Sequence, residues 1–179
     1  MKYACQVIVA LLIATPLLGQ APRAEHSESD REAGAGCFTH SLKQELHLAI
    51  TDCSAAIALA PRNPQHYVNR GSVYLMLKDP DRAIEDFEAA VRLDPDDARA
   101  YFNRALAHTL KGDRQKAIRD YSEAIRRRPE FAAAYNNRGR EYELLGEIDK
   151  AISDYENAFR LEPRLPKVKD NLDRLSRSR

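Results

Sequence analysis

Three short stretches of this chain have nearly the same sequence and follow one another at a constant 34-residue interval. Residues 67–71 read YVNRG, residues 101–105 read YFNRA and residues 135–139 read YNNRG. Repetition at a fixed period of about 20–50 residues is typical of arrays in which each unit packs against its neighbours in the chain. The period therefore predicts a stack of similar units, each of which has to be understood before the whole.

Each 34-residue unit has the pattern of two short helices. Positions 4, 8 and 11 hold a large, a small and a second large residue on one face of the first helix, and positions 20, 24 and 27 of the second helix hold Ala, an aromatic residue and Ala. Small residues let two helices approach closely, and the aromatic rings fill the space around that contact. These residues are Tyr67, Gly71, Tyr74, Ala83, Phe87 and Ala90 in unit 64–97; Tyr101, Ala105, His108, Ala117, Tyr121 and Ala124 in unit 98–131; and Tyr135, Gly139, Tyr142, Ala151, Tyr155 and Ala158 in unit 132–165.

The helix ends are marked as well. Asp79 followed by Pro80 predicts an N-cap with proline at the first helical position. Gly112 and Gly146 supply the left-handed residue that ends a first helix. A proline closes each second helix at the same 34-residue interval, at Pro61, Pro95, Pro129 and Pro163.

With these markers the chain resembles the tetratricopeptide repeat family, from which His108 departs because tyrosine is usual at its position. The resemblance implies an all-α, right-handed α-solenoid of helix-turn-helix repeats. It covers units 64–97, 98–131 and 132–165, and more weakly a degenerate N-terminal unit at 37–63. Residues 166–179 are predicted to form a capping helix and tail, with an apolar face of Val168, Leu172 and Leu175.

Residues 1–21 are of a different kind. Lys2 is followed by an uncharged run whose apolar core spans residues 7–18, which is short for a membrane span and typical of a secretory signal peptide. An uncleaved anchor is the alternative. Residues 22–36 are polar, with scattered Gly and Ser, and are predicted to be a mobile linker or a poorly formed first helix. We therefore expect an exported protein, periplasmic or secreted, with no membrane contact after signal cleavage.

The cysteines agree with export. Cys5 lies within the signal, so Cys37 and Cys53 remain as an even pair. They occupy positions 8 and 24 of the degenerate unit, and these positions face each other in the other units. A disulfide is predicted, and two buried free thiols that act as small apolar residues are the alternative.

Composition and motifs argue against several classes of function. Lys and Arg total 28 against 27 Asp and Glu, so no large field of one sign would attract nucleic acid. The arginines at 126–128 and near the C-terminus lie at helix ends, where cations complement the helix dipole. The histidines have no metal-site spacing, and the motifs HExxH and GxSxG and a phosphate-binding loop are absent. We predict no enzyme activity, no cofactor, no metal and no nucleic-acid partner.

An arginine at position 7 and an aspartate at position 23 also recur with the period of the repeat. Because Leu172 takes the arginine position on the apolar face of the capping helix, we expect each arginine to face the preceding unit. The predicted pairs join successive units and stabilise the stack, and contact with a ligand is the alternative role of these residues. They are Asp52–Arg70, Asp86–Arg104 and Asp120–Arg138.

The resemblance implies a protein-protein interaction module or scaffold, expected to be a monomer, that binds a peptide or protein segment in its concave groove. In the family, positions 2, 5, 9, 12 and 13 of the first helices line that groove. Apolar residues there are predicted to anchor the partner and two arginines to set its polar contacts, or the apolar residues merely pack along the inner wall. A self-assembling structural protein or an accessory subunit of a periplasmic enzyme complex is the alternative function. The predicted contact residues are Val68, Leu75, Arg99, Phe102, Leu106, Asn136 and Arg140.

One known mode of recognition is not expected. Chaperone-binding relatives hold a C-terminal pair of carboxylates with Lys, Asn, Asn, Lys and Arg. The corresponding residues here are Val68, Ser72, Asn103, Ala133 and Asn137, of which only Asn103 agrees. The chain therefore lacks that clamp.

Overall fold

The computed structural model describes residues 34–37, 39 and 45–177, and the elements in this part of the chain are α-helices. Residues 34–37 are helical and precede eight longer helices. These are α1 (Leu46–Leu59), α2 (Pro64–Met76), α3 (Pro80–Leu93), α4 (Ala98–Lys111), α5 (Arg114–Arg127), α6 (Ala132–Leu144), α7 (Ile148–Leu161) and α8 (Val168–Arg177).

The helices pack in chain order as a right-handed α-solenoid. Each repeat is a pair of helices joined by a short turn, α2 with α3, α4 with α5 and α6 with α7, and each pair packs against the next. The first helices α2 and α4 also contact each other directly. One side of the stack is therefore built from first helices, and α8 closes the C-terminal end by packing on α7.

The predicted helix ends are confirmed. The Asp79 side chain accepts a hydrogen bond from the Arg82 backbone N–H at 3.2 Å, as an N-cap should. Gly112 and Gly146 have φ angles of 84° and 77°, in the left-handed region that favours glycine.

The repeated small and aromatic residues form the core between the two helices of each unit. Ala83, Phe87 and Ala90 are fully buried, as are their counterparts in the other two units. A Cβ atom at Gly71 would lie 2.7 Å from the Phe87 ring, so the helices of this unit are as close as glycine allows. The tight contact within each unit fixes which side chains meet across it.

The capping helix is confirmed as a cover for the last unit. Val168 and Leu175 are buried, and Leu172 packs against the cluster that contains Ala151 and Tyr155. Without α8 this apolar surface of the third unit would face water.

At the N-terminal end the structure joins Cys37 and Cys53 in a disulfide, with Cα atoms 4.9 Å apart. Residues 34–36, at the end of the predicted linker or poorly formed first helix 22–36, are helical together with Cys37. Gly34 and Gly36 lie close to His66 and Asp52, and the absence of a side chain on each glycine permits this close contact.

The predicted signal peptide and most of the linker lie outside the described residues. Among the residues that the structure does describe, none of the helices combines the length and apolar character that a membrane span requires.

The predicted pairs Asp52–Arg70, Asp86–Arg104 and Asp120–Arg138 are wrong in their partners. Each arginine instead binds the aspartate of its own unit through two nitrogens, at 2.7–2.9 Å. The observed pairs are Arg70–Asp86, Arg104–Asp120 and Arg138–Asp154.

The physical reason for this difference is the close packing within the unit. Helices held together by small residues bring positions 7 and 23 into direct contact, whereas the preceding aspartate lies one layer away. The arginines still face the preceding unit, as expected. Arg70 Nη1 donates to Ser54 Oγ at 3.1 Å, and Arg138 Nη1 donates to Ser122 Oγ at 2.8 Å. Each of these two arginines therefore links two units through its third nitrogen.

His108 takes the position that tyrosine has in the other two units. The Tyr74 ring is covered by Arg82 at 4.5 Å, and the Tyr142 ring by Lys150 at 5.2 Å. His108 instead lines an open cleft of about 500 Å³ whose other lining residues are mostly charged. His108 is buried, and its Nδ1 has no hydrogen-bond partner within residues 45–177. A smaller, titratable ring thus replaces a well-packed tyrosine in the second unit.

We expect this histidine to make stability depend on pH. Burial lowers the pKa of His108 below its ordinary value of 6.5; the nearby Lys116 and Arg104 also lower it, while Asp120 and Asp113 act in the opposite direction. The unfolded chain therefore binds this proton more readily than the folded chain does. The contribution of neutral His108 to the free energy of unfolding is fully present above about pH 6.5 and is lost as the pH falls below that value.

The variant His108→Tyr should remove this contribution and, because it replaces a buried imidazole nitrogen that has no hydrogen bond, raise the free energy of unfolding by about 1 kcal/mol at neutral pH. Urea unfolding at about pH 7.5 and about pH 5.5 measures both effects. If both proteins lose the same stability between these pH values, His108 is not the titrating group.

Candidate protein-binding surface

The first helices α2, α4 and α6 present a continuous surface, which we call the first-helix face. It consists of positions 2, 5, 9, 12 and 13 of each unit, the positions that the resemblance implies for the groove. Arg99 Nη2 donates to Gln65 Oε1 at 2.9 Å, and both residues hold position 2 of their units. Equivalent positions of successive units therefore lie next to each other on this face.

A row of half-exposed apolar side chains runs along this face at position 13. Met76, Leu110 and Leu144 have exposed fractions of 49%, 48% and 54%. Each side chain leaves the end of its first helix at the same point, because the units repeat with a constant period. We call these three residues the apolar row. Large apolar groups aligned at a surface are typical of an interaction site.

The predicted anchor residues differ in their availability. Val68 is only 6% exposed and belongs to the core cluster that contains Ala100, so it is not available as an anchor and that prediction is wrong. Leu75 is half-buried against the same cluster, which leaves part of its side chain at the surface. The first unit therefore offers less apolar surface than expected.

In the second unit, Phe102 and Leu106 are also partly buried in the core. The Phe102 ring packs at 4.6 Å from the Phe131 ring and 5.7 Å from the Tyr121 ring, measured between centroids. Leu106 packs against the same cluster. A charged residue at position 102 would thus damage packing as well as the surface, so Leu110 is the better position at which to test binding.

The two predicted arginines also differ. Arg99 is held by Asp97 and by Gln65. Arg140 is exposed and forms no ion pair with the described residues. Of the two, Arg140 has its charge available for a partner.

The first-helix face ends in a cavity of about 400 Å³ between the third unit and α8, which we call the terminal cavity. It includes two predicted residues, Asn136 and Arg140. The other lining residues are Asn137, Glu143, Leu144, Tyr155, Pro166, Lys167, Asn171 and Arg174.

The contribution of α8 to this cavity was not predicted from the sequence, but a signal for it exists. If the 34-residue register continues past residue 165, Lys167, Asn171 and Arg174 occupy positions 2, 6 and 9 of a fourth first helix. Asn171 then continues the asparagine of position 6 that all three units share. The capping helix therefore extends the first-helix face as well as covering the core.

Hydrogen bonds fix part of the terminal cavity. The Tyr155 hydroxyl donates to Glu143 Oε2 at 3.0 Å, and Arg174 Nη2 lies 2.8 Å from Glu143 Oε1. Burial, and then the bond to Glu143, raises the pKa of Tyr155 well above its usual range. The Tyr155 hydroxyl therefore stays protonated at neutral pH and donates to Glu143. The Glu143 carboxylate is held in place by Tyr155 and Arg174.

A buried carboxylate also lies between the second and third units. Glu141 is 2% exposed, and its Oε1 accepts a hydrogen bond from Thr109 Oγ1 at 3.0 Å. Tyr121 lies beside Thr109, and burial raises the pKa of Tyr121 to about 12. These groups satisfy one another between packed helices, which is a structural arrangement. In the described part of the chain, no three His, Cys, Asp or Glu side chains are grouped to hold a metal ion.

Residues 64–97, 98–131 and 132–165 match the family described as Tetratricopeptide repeat. These ranges cover the three full units, including the helices that carry the apolar row. No curated protein is significantly similar in sequence to this chain.

Solved structures of similar proteins share the fold. The crystal structure of MamA protein has a TM-score of 0.76 and 25% identity over 84% of this chain and 82% of its own. A thermophilic TPR protein of Thermus thermophilus has a TM-score of 0.69 and 23% identity over 83% and 82%. YrrB, described as a TPR protein with an unusual peptide-binding site, has a TM-score of 0.70 and 19% identity over 79% and 73%.

Proposed function

Because the chain belongs to the tetratricopeptide repeat family, whose arrays are protein-interaction modules, we propose that it binds a segment of a partner protein along the first-helix face. The apolar row carries this proposal. Three large apolar side chains in equivalent positions remain half-exposed along one face. A partner that covers Met76, Leu110 and Leu144 would remove this apolar surface from water.

The proposal includes an exported location, periplasmic or secreted. Its support is the sequence of residues 1–21, which has the pattern of a signal peptide, and the pairing of Cys37 with Cys53. Cytosolic thiols are normally kept reduced, so a structural disulfide is more in keeping with an oxidising compartment.

We further propose that the protein acts by binding alone, as a monomer, without catalysis. Two carboxylates and two tyrosines near this face are engaged with neighbouring side chains, namely Glu141, Glu143, Tyr121 and Tyr155. YrrB, the neighbour with a peptide-binding site, shows that this fold can hold a peptide.

The variant Leu110→Glu tests the proposal. We expect it to reduce partner capture from the exported fraction at least about tenfold, because it places a charge in the middle of the apolar row. Leu93→Glu is the matched control, since Leu93 is 39% exposed but lies at the end of the second helix α3. Capture is measured by pull-down and quantified against the wild-type protein. Equal capture by both variants would exclude the apolar row as the binding site. Sizing chromatography would then show whether the protein self-assembles instead.

A further inference from the structure

The helix α1 carries far less charge than the other second helices of the stack. It holds Cys53 at position 24 and is therefore the second helix of the degenerate unit. Its single charged residue is Asp52, and it contains neither lysine nor arginine. By contrast, α3, α5 and α7 each contain several charged residues of both signs. The side that α1 turns to solvent is therefore of a different kind.

The difference lies at positions 19, 22, 26 and 29 of the unit, where α1 has exposed, uncharged residues. In the three full units, positions 19 and 29 always hold an exposed cation. Leu59 adds to the apolar surface, since it is 53% exposed, compared with 39% for its counterpart Leu93. The cations are Arg82, Lys116 and Lys150 at position 19 and Arg92, Arg126 and Arg160 at position 29. We use the name α1 face for Leu48, Thr51, Ala55, Ala58 and Leu59.

The chemistry of the α1 face excludes several kinds of partner. Thr51 Oγ1 donates to the His47 carbonyl oxygen at 3.1 Å, so the hydroxyl hydrogen is already bonded. The backbone is helical here and offers no edge to which a strand could be added. Without lysine or arginine, the face has no attraction for phosphate groups or anionic lipid headgroups. Its partner must be apolar and must satisfy its own backbone hydrogen bonds.

The shape of the α1 face fits another helix. Leu48, Thr51, Ala55 and Ala58 follow one another at intervals of three, four and three residues, the spacing at which two helices pack side by side. The two alanines lie between Leu48 and Leu59, so the middle of the face is lower than its ends. Large side chains of a second helix fit into such a depression, as ridges fit into grooves. The face is about 16 Å long, which is about three helical turns.

The inner side of α1 holds this face in place. Ala49, Cys53 and Ala56 are fully buried, and the disulfide with Cys37 fastens the same side of the helix. Leu48, which is 53% exposed, therefore projects from a helix that is already fixed. A surface that is formed before binding loses little conformational freedom when a partner covers it.

We propose that the α1 face binds the apolar side of an amphipathic α-helix of a second protein. Large apolar side chains of that helix pack on Ala55 and Ala58, and smaller ones lie against Leu48 and Leu59. The charged side of the bound helix remains in water. This surface is built from a second helix and is separate from the first-helix face, so one chain can hold two partners.

A capped synthetic peptide serves as the probe. It consists of three Leu-Lys-Glu-Ala-Lys-Glu-Gln heptads, so its leucines and alanines share one side of the helix and its charges cover the other. The control peptide has glutamine in place of every leucine. Each peptide is titrated into the ¹⁵N-labelled full chain, and the backbone amide NMR signals of Thr51, Ala55 and Leu59 are followed.

We expect saturable shifts with the leucine peptide and none with the control peptide. Leu48→Lys and Ala58→Arg should each weaken the dissociation constant at least about tenfold, because each places an unpaired charge in an apolar contact. Other units already carry lysine and arginine at these positions, so both variants should fold. Ala89→Glu is the matched control. It changes the counterpart of Ala55 in α3 to the residue that α5 has at Glu123, and it should change the constant less than about twofold.

The absence of saturable shifts, equal shifts with both peptides, or unchanged binding to the Leu48→Lys variant would overturn the inference. Other occupants of the face would overturn it as well. A photoreactive phenylalanine analogue at Ala55 would then crosslink to a second copy of the chain or to residues 1–33 of its own chain. Binding to phosphatidylcholine vesicles that Leu48→Lys abolishes would instead assign the face to a membrane.

The outcome is independent of the test of the proposed function. Leu110→Glu changes the first-helix face and should leave binding of the leucine peptide to α1 unchanged. Loss of partner capture by Leu110→Glu, with no peptide binding at α1, would overturn only the inference about the α1 face. Peptide binding at α1, with capture retained by Leu110→Glu, would overturn only the proposal for the first-helix face.

Discussion

Replacing Asp120 with alanine should lower the free energy of unfolding by about 3–5 kcal/mol, the usual cost of removing one member of a buried ion pair. Asp120 is buried and accepts hydrogen bonds from Arg104 Nε and Nη2 at 2.8 and 2.7 Å. Without it, the mostly buried Arg104 guanidinium loses the carboxylate that raises its pKa. Urea unfolding of the variant and the wild-type protein gives the difference directly.

A double-mutant cycle distinguishes the observed pairing within a unit from the predicted pairing between units. In a double-mutant cycle, Arg104 and Asp120 should be coupled by more than about 1 kcal/mol, whereas Arg104 and Asp86 should be coupled by less than about 0.5 kcal/mol. Arg126→Ala is the control, because its pair with Glu123 is exposed and its loss should cost less than about 1 kcal/mol. Strong coupling between Arg104 and Asp86 would restore the pairing between units.

Reduction of the disulfide should have the second large effect on the free energy of unfolding. The bond between Cys37 and Cys53 spans 16 residues, and a link of this length restricts the unfolded chain enough to contribute about 3 kcal/mol. We therefore expect a reductant to lower the free energy of unfolding by about that amount. Protein isolated from the exported fraction, denatured without reductant, should have no free thiol at these two positions.

A variant with both cysteines changed to alanine is the control for this prediction. Its stability should be the same with and without reductant and should lie near that of the reduced wild-type protein. Two free thiols in the exported protein, or unfolding curves that do not respond to reductant, would show that Cys37 and Cys53 are unpaired and only pack as small apolar residues.

The sequence was sufficient for those parts of the fold that depend on spacing within a unit. Small residues such as Gly71 and large ones such as Phe87 can pack only if the two helices of a unit lie together, so their period predicts the helix pairs. The apolar face of α8, with Val168 and Leu175, was predicted for the same reason, since a stack must end in a covered surface.

The partners of the repeated arginines could not be predicted in this way. Arg104 lies almost midway in the sequence between Asp86 and Asp120, and both separations recur in every unit. A periodic sequence cannot choose between them. The choice depends on the distance between helices, which is set by packing that only the structure shows.

The binding surface was predicted in outline but not in detail. Position alone cannot tell that Val68 is buried while Leu144 at the other end of the face is half-exposed, because burial depends on the neighbouring unit. The terminal cavity was missed because α8 was interpreted only as a cover. Lys167 and Arg174 become visible as surface residues when the register of the repeat is continued into that helix.

The central claim is that a partner lies along the first-helix face, and site-specific photo-crosslinking tests it most directly. A photoreactive phenylalanine analogue is placed singly at Leu110, at Leu144 or, on the second helix, at Leu93. The account predicts that positions 110 and 144 crosslink to the same protein of the exported fraction and that position 93 does not. A crosslink to that protein from position 93 alone, with none from positions 110 and 144, would contradict it.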